Sequence, residues 1–438
     1  MNKALINWVR ASWDAVRTSL WLVPGLFFLA GIALAMVMLG LERGWTAGPG
    51  VLQSWISTGD GEDARALLST LLTAIISMAS MAFSVTVVAL SLAANTFGPR
   101  LIRTFRANLR TQLVLGTFVL TIVYLLLVLR SVEGASAPPE VPQAAVAVGS
   151  LLALLSVLAL LAFIQGVATS IVADEVVRRV RSELDSAVSK LPDLVHTEEP
   201  ALVLPPLDSD DAATRIPLPR EGYVQSVQFE EILAWAVKHD AVIRLDFRPG
   251  DFVVDGDTKV FVHPMPEDPD RVRTELGRFI VSGQARTPTQ DLEFAIRHLV
   301  EVAVRALSPG INDPFTALAV IDRLRGGLSR LCAKQFPPRT LRDASGKVRV
   351  TRRVPTFVGA VDAAFNQIRQ AGSAKPAVLV HMLEAIAEIA ERTRTQEQRA
   401  ALSRHASMIR ATGRRDVAEP EDREDVERAF GRAMRGLH

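Results

Sequence analysis

Residues 67–97 read LLSTLLTAIISMASMAFSVTVVALSLAANTF, thirty-one positions without one charged side chain. At about 1.5 Å per residue a helix of that length reaches roughly 46 Å, more than the roughly 30 Å hydrocarbon core of a bilayer. The stretch is not apolar all round. Thr73, Ser77, Ser80, Ser84, Ser91 and Asn95 are spaced 4, 3, 4, 7 and 4 apart, which places all six on one helical face. A membrane helix with such a stripe meets either another helix or water. It carries no ionisable group of the kind that proton-coupled transporters use, so a pump is disfavoured relative to a channel.

Working outward, three further apolar segments lie at about 20–39, 113–129 and 144–168, with 67–97 as the second span. Lys3, Arg10 and Arg17 precede the first, yet its apolar run exceeds the roughly 7–15 residues of a signal-peptide core, so it reads as a retained span. The loop after the second span holds Arg100, Arg103, Arg106 and Arg110 with no acid, and Arg178, Arg179 and Arg181 follow the fourth. The other two loops place Arg43, Arg65 and Arg130 among Glu42, Asp60, Glu62, Asp63, Glu133 and Glu140. Positive charge marks the cytoplasmic side, which puts both termini there. Trp13, Trp21, Trp45 and Trp55 fall near the span boundaries, where indole rings favour the interface.

The expected architecture is a four-span α-helical membrane domain followed by a cytoplasmic α+β domain with a helical C-terminal part. Residues 1–19 form a cytoplasmic segment, 20–170 the membrane domain and 171–219 a connector bearing Pro192, Pro200, Pro205, Pro206 and Pro217. Residues 220–287 read as a small mixed β/α subdomain and 288–438 as a mainly helical one. Strands are expected at 223–227, 242–247, 252–254, 260–263 and 279–284, a helix at 229–238, and a basic hairpin at 341–353 turning on Ser345 and Gly346. Residues 253–259 read as a hairpin turn. Helices are expected at 290–307, 314–331, 357–369, 377–392, 396–411 and 423–435.

The chain of 438 residues carries a formal net charge of +2, which implies no bulk polyanion and no nucleic-acid partner. Cys332 is the one cysteine, which excludes an intramolecular disulfide and a cysteine-built metal site. The seven histidines show no ligand spacing, and no phosphate-binding loop, nucleophile elbow or dinucleotide fingerprint is present. No enzyme, metal or cofactor is therefore expected.

Two places are candidates for function. The stripe on the second span reads as the lining of a water-filled path in a homo-oligomer, or as a helix–helix contact. Gly98 and Pro99 break that helix, and Arg100, Arg103 and Arg106 would then ring an inner mouth that attracts a small anion. The second place is 308–314, SPGINDP, where Asn312 or Asp313 caps a helix opened by Pro314. Arg305, Ser308, Asn312 and Asp313 there are candidates for a ligand or subunit contact. Glu293, Arg297, Glu301 and Arg305, four apart, read as a solvated or interfacial ladder of ion pairs.

Several motifs resemble a known family. They are Ser80-Met81-Ala82-Phe83-Ser84, Asn95-Thr96-Phe97-Gly98-Pro99-Arg100-Leu101, Leu115-Gly116-Thr117-Phe118, Gly222-Tyr223-Val224-Gln225, Arg248-Pro249-Gly250-Asp251-Phe252-Val253, 306–314 and 364–369. Together they are similar to the bacterial membrane proteins catalogued as domain of unknown function 2254. The resemblance covers nearly the whole chain and implies a multi-pass inner-membrane protein in a lipid bilayer, with no activity to carry over. The family pattern has two adjacent histidines late in the fourth span, where this chain has Gln165 and Gly166. Two functional readings remain: an oligomeric pore with a cytoplasmic vestibule, or a membrane-anchored sensor or scaffold whose cytoplasmic domain binds a ligand or partner.

Overall fold

A backbone in hydrocarbon must satisfy its own polar groups, and an uninterrupted apolar run does so as a helix. The computed structural model describes residues 22–42, 61–97, 109–132, 141–170, 173–194, 213–218, 220–264 and 266–437. Its first four helices are α1 (Leu22–Glu42), α2 (Gly61–Phe97), α3 (Leu109–Val132) and α4 (Gln143–Ser170). All four are long and apolar enough to cross a membrane. The expected 1–19 segment and the boundary tryptophans lie outside the described residues. The chain divides into two compact units, Met1–Glu175 and Val176–His438.

In the first unit α3 is the central element, packed on α1, α2 and α4. Leu68, Ile75, Phe118, Leu125 and Val128 are buried between these helices. Gly31 lets α1 approach α3 closely, since a Cβ there would lie 2.9 Å from the Leu120 carbonyl oxygen. Polar groups inside the bundle are matched. Thr121 and Ser156 share a hydroxyl–hydroxyl bond of 3.0 Å, and Tyr124 donates to the Ala145 carbonyl at 2.9 Å. Outward-facing leucines such as Leu26, Leu151, Leu154 and Leu158 are exposed, as a lipid-facing surface requires.

The stretch expected as a connector, 171–219, contains helix α5 (Ala173–Ser189) and strand β1 (Thr214–Ile216). Val177, Val180, Leu184 and Val188 are buried at spacings of 3, 4 and 4. That helical stripe is diluted by charged neighbours, which is why the segment reads as polar linker.

Two sheets follow. Strands β2 (Gly222–Val227), β4 (Phe252–Val253) and β6 (Ile280–Gly283) form one, in the order β4-β2-β6. Strands β1, β3 (Val242–Leu245), β5 (Val260–His263), β7 (Thr340–Arg342) and β8 (Val348–Arg352) form the other, in the order β1-β5-β3-β8-β7. The hairpin expected at 341–353 is present, and β8 runs parallel to β3 with Ile243 opposite Val350. The five-stranded sheet therefore draws strands from both sides of residue 287. Residues 253–259 do not close a hairpin, because β4 pairs with β2 whereas β5 pairs with β1 and β3. Leu218 captures that loop instead, donating to the Asp257 carbonyl at 2.9 Å and accepting from the Gly256 amide at 3.2 Å.

Helix α6 (Phe229–Lys238) covers one face of the larger sheet, where Ile232, Trp235 and Ala236 join Ile243, Leu245, Val260, Val262 and Val350 in a common core. Helix α7 (Pro269–Gly277), capped by Asp268 with Pro269 in its first turn, is a short element the apolar pattern does not announce. Six helices complete the unit: α8 (Leu292–Ala306), α9 (Pro314–Leu331), α10 (Phe357–Ala371), α11 (Pro376–Ala390), α12 (Gln396–Asp416) and α13 (Pro420–Arg435). Asp291, Asp313, Thr356 and Thr395 cap four of them with side-chain oxygens, and Thr395 with Gln398 forms a full capping box.

A buried ionic junction ties the turn after β3 to the start of α8. Arg248 pairs with Glu293 at 2.8 Å, and Arg286 donates through Nε to the Asp291 carboxylate at 2.9 Å. Asp251 accepts from the Arg248 amide at 3.1 Å and pairs with Arg353 at 3.4 Å. Glu293 is only 4% exposed, so the ladder expected to be solvated begins on a buried carboxylate. Burial opposes the charge on Arg248, but Glu293, Asp251 and Asp291 outweigh it and raise the guanidinium's pKa. Burial likewise raises the Asp291 carboxyl above its usual value, against the pull of Arg286. Gly250 makes the junction possible, because its φ of +95° suits glycine and a Cβ there would collide with the Asp291 carboxylate. Glu293→Ala is expected to cost about 1–3 kcal/mol in denaturant unfolding, because the partly buried Arg248 loses its nearest carboxylate and keeps only Asp251 at 3.8 Å. Gly250→Ala should also destabilise, by roughly 1–3 kcal/mol or more from backbone strain and collision.

Candidate functional site

Helix α2 turns about 100° per residue, which separates its side chains into two opposed faces. Ala64, Leu68, Ile75, Ala79 and Ala82 are buried and point into the bundle. Thr73, Ser77, Ser80, Ser84 and Ser91 are all exposed, and they centre roughly 180° from Ile75. The five hydroxyl positions do share a face, as their spacing requires, and that face looks away from α1, α3 and α4. Close packing inside one protomer is therefore not what the stripe serves.

Thr73 donates to the Ser69 carbonyl at 2.9 Å, Ser77 to Thr73 at 2.9 Å, and Ser84 to Ser80 at 3.0 Å. Bonding back to the i−4 carbonyl satisfies the hydroxyl hydrogen and leaves the oxygen's lone pairs outward. Val87 and Val88 interrupt the stripe, and Ile76, Met81, Phe83 and Leu92 flank it as exposed apolar groups. The Asn95 side chain, and Gly98, Pro99, Arg100, Arg103 and Arg106, lie outside the described residues.

In the second unit the SPGINDP stretch is a tightly bonded turn between α8 and α9. The Ser308 hydroxyl donates to the Arg305 carbonyl at 2.7 Å, and the Ser308 carbonyl accepts from the Asn312 amide at 2.8 Å. The Asp313 carboxylate caps α9 by accepting from the Thr316 amide at 3.1 Å and from the Thr316 hydroxyl. Ser308 and Asp313 thus serve the turn itself. Asn312 differs: it sits at φ +51°, a left-handed conformation, and its side-chain oxygen accepts from Lys375.

Asn312 lines a cleft of about 720 Å³ between the starts of α9 and α11 and one face of α13. Lys375, Asp422, Asp425, Arg428 and Arg432 line it as well; Arg305, Ser308 and Asp313 do not. Sequence reasoning missed these partners because they come from helices distant along the chain. A signal was available at Lys375-Pro376, since proline in a first helical turn marks a second helix start. Ile311 and Phe315 beside it are exposed, Phe315 by 79%.

Among the described residues His298, His381 and His405 take carboxylate partners. His298 Nδ1 lies 3.3 Å from Glu183, His381 Nε2 3.0 Å from Asp322, and His405 Nε2 2.7 Å from Asp362. No group of three metal-ligating side chains occurs among the described residues. Cys332 is buried, which pushes its thiol up to about 12 and leaves it unreactive.

His405 is fully buried, and burial lowers its pKa against the opposing pull of Asp362. The folded chain therefore favours the neutral imidazole. Stability from this group is present above the unfolded value, about 6.5, and is lost as pH falls through the lowered folded value. The unfolding midpoint should fall as pH drops below about 6.5, and His405→Gln should flatten that fall in pH-dependent denaturation.

The four long apolar helices define a membrane protein. The chain belongs to the family of predicted membrane proteins catalogued as domain of unknown function 2254, whose model matches residues 17–388. It is 28% identical to an uncharacterized protein of Mycobacterium tuberculosis strain H37Rv over 439 aligned positions, covering 98% of this chain and 83% of the relative. An uncharacterized protein of Mycobacterium bovis matches at the same identity and coverage, 28%, 98% and 83%. No solved structure matches the chain.

Proposed function

We propose that this membrane protein is a homo-oligomeric, non-enzymatic channel of the bacterial inner membrane, with α2 of each copy nearest the axis. Both termini lie in the cytoplasm in this reading, and the second unit forms a vestibule. The observation that carries it is the direction of the stripe. Five hydroxyl side chains on the outside of a bundle face either lipid or further protein and water. Lipid gains nothing from them, whereas a ring of copies brings their outward lone pairs to one axis, where they substitute for part of an ion's hydration shell. Arg100, Arg103 and Arg106 follow directly in sequence, and symmetry would multiply them at the inner mouth, which favours a small anion.

One observation favours a second reading. Hydroxyls that already bond their own i−4 carbonyls also suit a dry contact between copies, because small side chains let backbones approach. The protein would then be an anchored sensor or scaffold whose cytoplasmic unit binds a ligand or partner.

Labelling separates the two. The native thiol is buried with a raised pKa, so wild-type protein should take up no aqueous maleimide until it is denatured. Single cysteines at Thr73, Ser77, Ser80, Ser84 and Ser91 should then react in the membrane if the stripe is wet. Purified protein in planar bilayers should conduct, and Arg100→Gln with Arg103→Gln should shift its permeability ratio toward cations. Silent stripe cysteines together with no conductance would leave the anchored reading.

A further inference from the structure

The cleft at Asn312 is walled by charges of both signs, and most of them neutralise one another. Arg428 pairs with Asp425 and with Glu424 at 3.6 Å, and Arg432 with Glu384 at 3.0 Å. Two charges are left over. Lys375 donates to the neutral amide oxygen of Asn312, and no carboxylate among the described residues pairs with it. Asp422, on α13, has no basic partner among the described residues. One uncompensated cation and one uncompensated anion thus line the same 720 Å³ space, which falls within the size range of small-molecule sites.

The two unpaired charges have different surroundings. Lys375 precedes Pro376 at the start of α11, and Pro314 at the start of α9 lines the same cleft. Helix starts carry partial positive charge, so both reinforce the lysine's preference for an anionic group. No side chain caps the start of α11. Asp422, in the first turn of α13, lines the same cleft and offers a carboxylate acceptor to a donor group, whereas Asp425 one turn on is taken by Arg428. Asn312, held left-handed with its oxygen given to Lys375, fixes where that ammonium sits.

We propose that this cleft is a binding site for a small zwitterion, its phosphate or carboxylate end at Lys375 and its ammonium end at Asp422. The ligand is a soluble molecule rather than a lipid headgroup of the same chemistry, and the site stands independently of the conduit reading. A dianion alone would meet Asp422, and an amine alone would meet the lysine and two helix starts, so each half should bind worse than the whole.

The test is calorimetric titration of the full-length protein in detergent micelles with phosphorylethanolamine. Saturable binding is expected, with inorganic phosphate and ethanolamine each binding about tenfold or more weakly. Lys375→Met and Asp422→Asn should each weaken phosphorylethanolamine by about tenfold or more, with unchanged melting temperatures showing that both variants fold. Asp422→Asn should spare or improve inorganic phosphate. The proposal is overturned by no saturable binding of phosphorylethanolamine, by wild-type affinity in both variants, or by either half binding as tightly as the whole. Repeating the titration in nanodiscs decides the source. Equal binding in phosphatidylcholine and phosphatidylethanolamine discs supports a soluble ligand, and loss confined to the latter overturns it in favour of the headgroup.

Discussion

A hydroxyl group turned toward hydrocarbon gains nothing there, and this constraint organises the membrane half of the molecule. Within the bundle polar groups meet across helices, as in the Thr121–Ser156 pair and the Tyr124 bond to Ala145. Outside it, α2 keeps five hydroxyl positions on the face opposite its own packing residues. In the proposed assembly that outward row is the surface that meets another copy and water rather than acyl chains.

The second unit depends on a different device. Its two small sheets share no strand, so the turn between β3 and β4 must be held by side chains. Arg248, Asp251, Asp291 and Glu293 do this as a linked group, with Glu293 and Asp291 buried and Arg248 and Asp251 half-buried beside them. The consequence is a rigid link from the sheets to α8, and through the SPGINDP turn to α9 and the cleft. The motif therefore positions Asn312 more than it supplies chemistry of its own.

Much of the architecture was legible in the chain because the relevant signals are local. The four spans follow from unbroken apolar runs, and α6 and α9 begin and end at the residues that Phe229, Lys238, Pro314 and Leu331 suggest. Helix α5 was hidden because its four buried residues stand among arginines and acids, where mean polarity masks period. The loop at 253–259 was read as a hairpin because turn residues announce a reversal, not which strand receives it; Leu218 settles that through the Asp257 and Gly256 backbone. The ladder on α8 misled for a related reason, since charge spacing is visible in sequence and the burial of Glu293 under Arg248 is not. At the candidate sites, spacing alone placed the hydroxyls of α2 on one face, but which way that face points is a tertiary fact. The cleft was half legible: Asn312 lies in a dense motif, whereas Lys375 and Asp422 are brought to it by packing.

The central claim is that the Ser80 face of α2 meets its counterpart in another copy. Spin labels at Ser80, compared with labels at lipid-facing Leu154, measure this directly in reconstituted bilayers by pulsed dipolar spectroscopy. The account predicts a defined distance between copies that is shorter from Ser80 than from Leu154. A monomeric protein with no distance between copies from either site, or a shorter distance from Leu154, would contradict it.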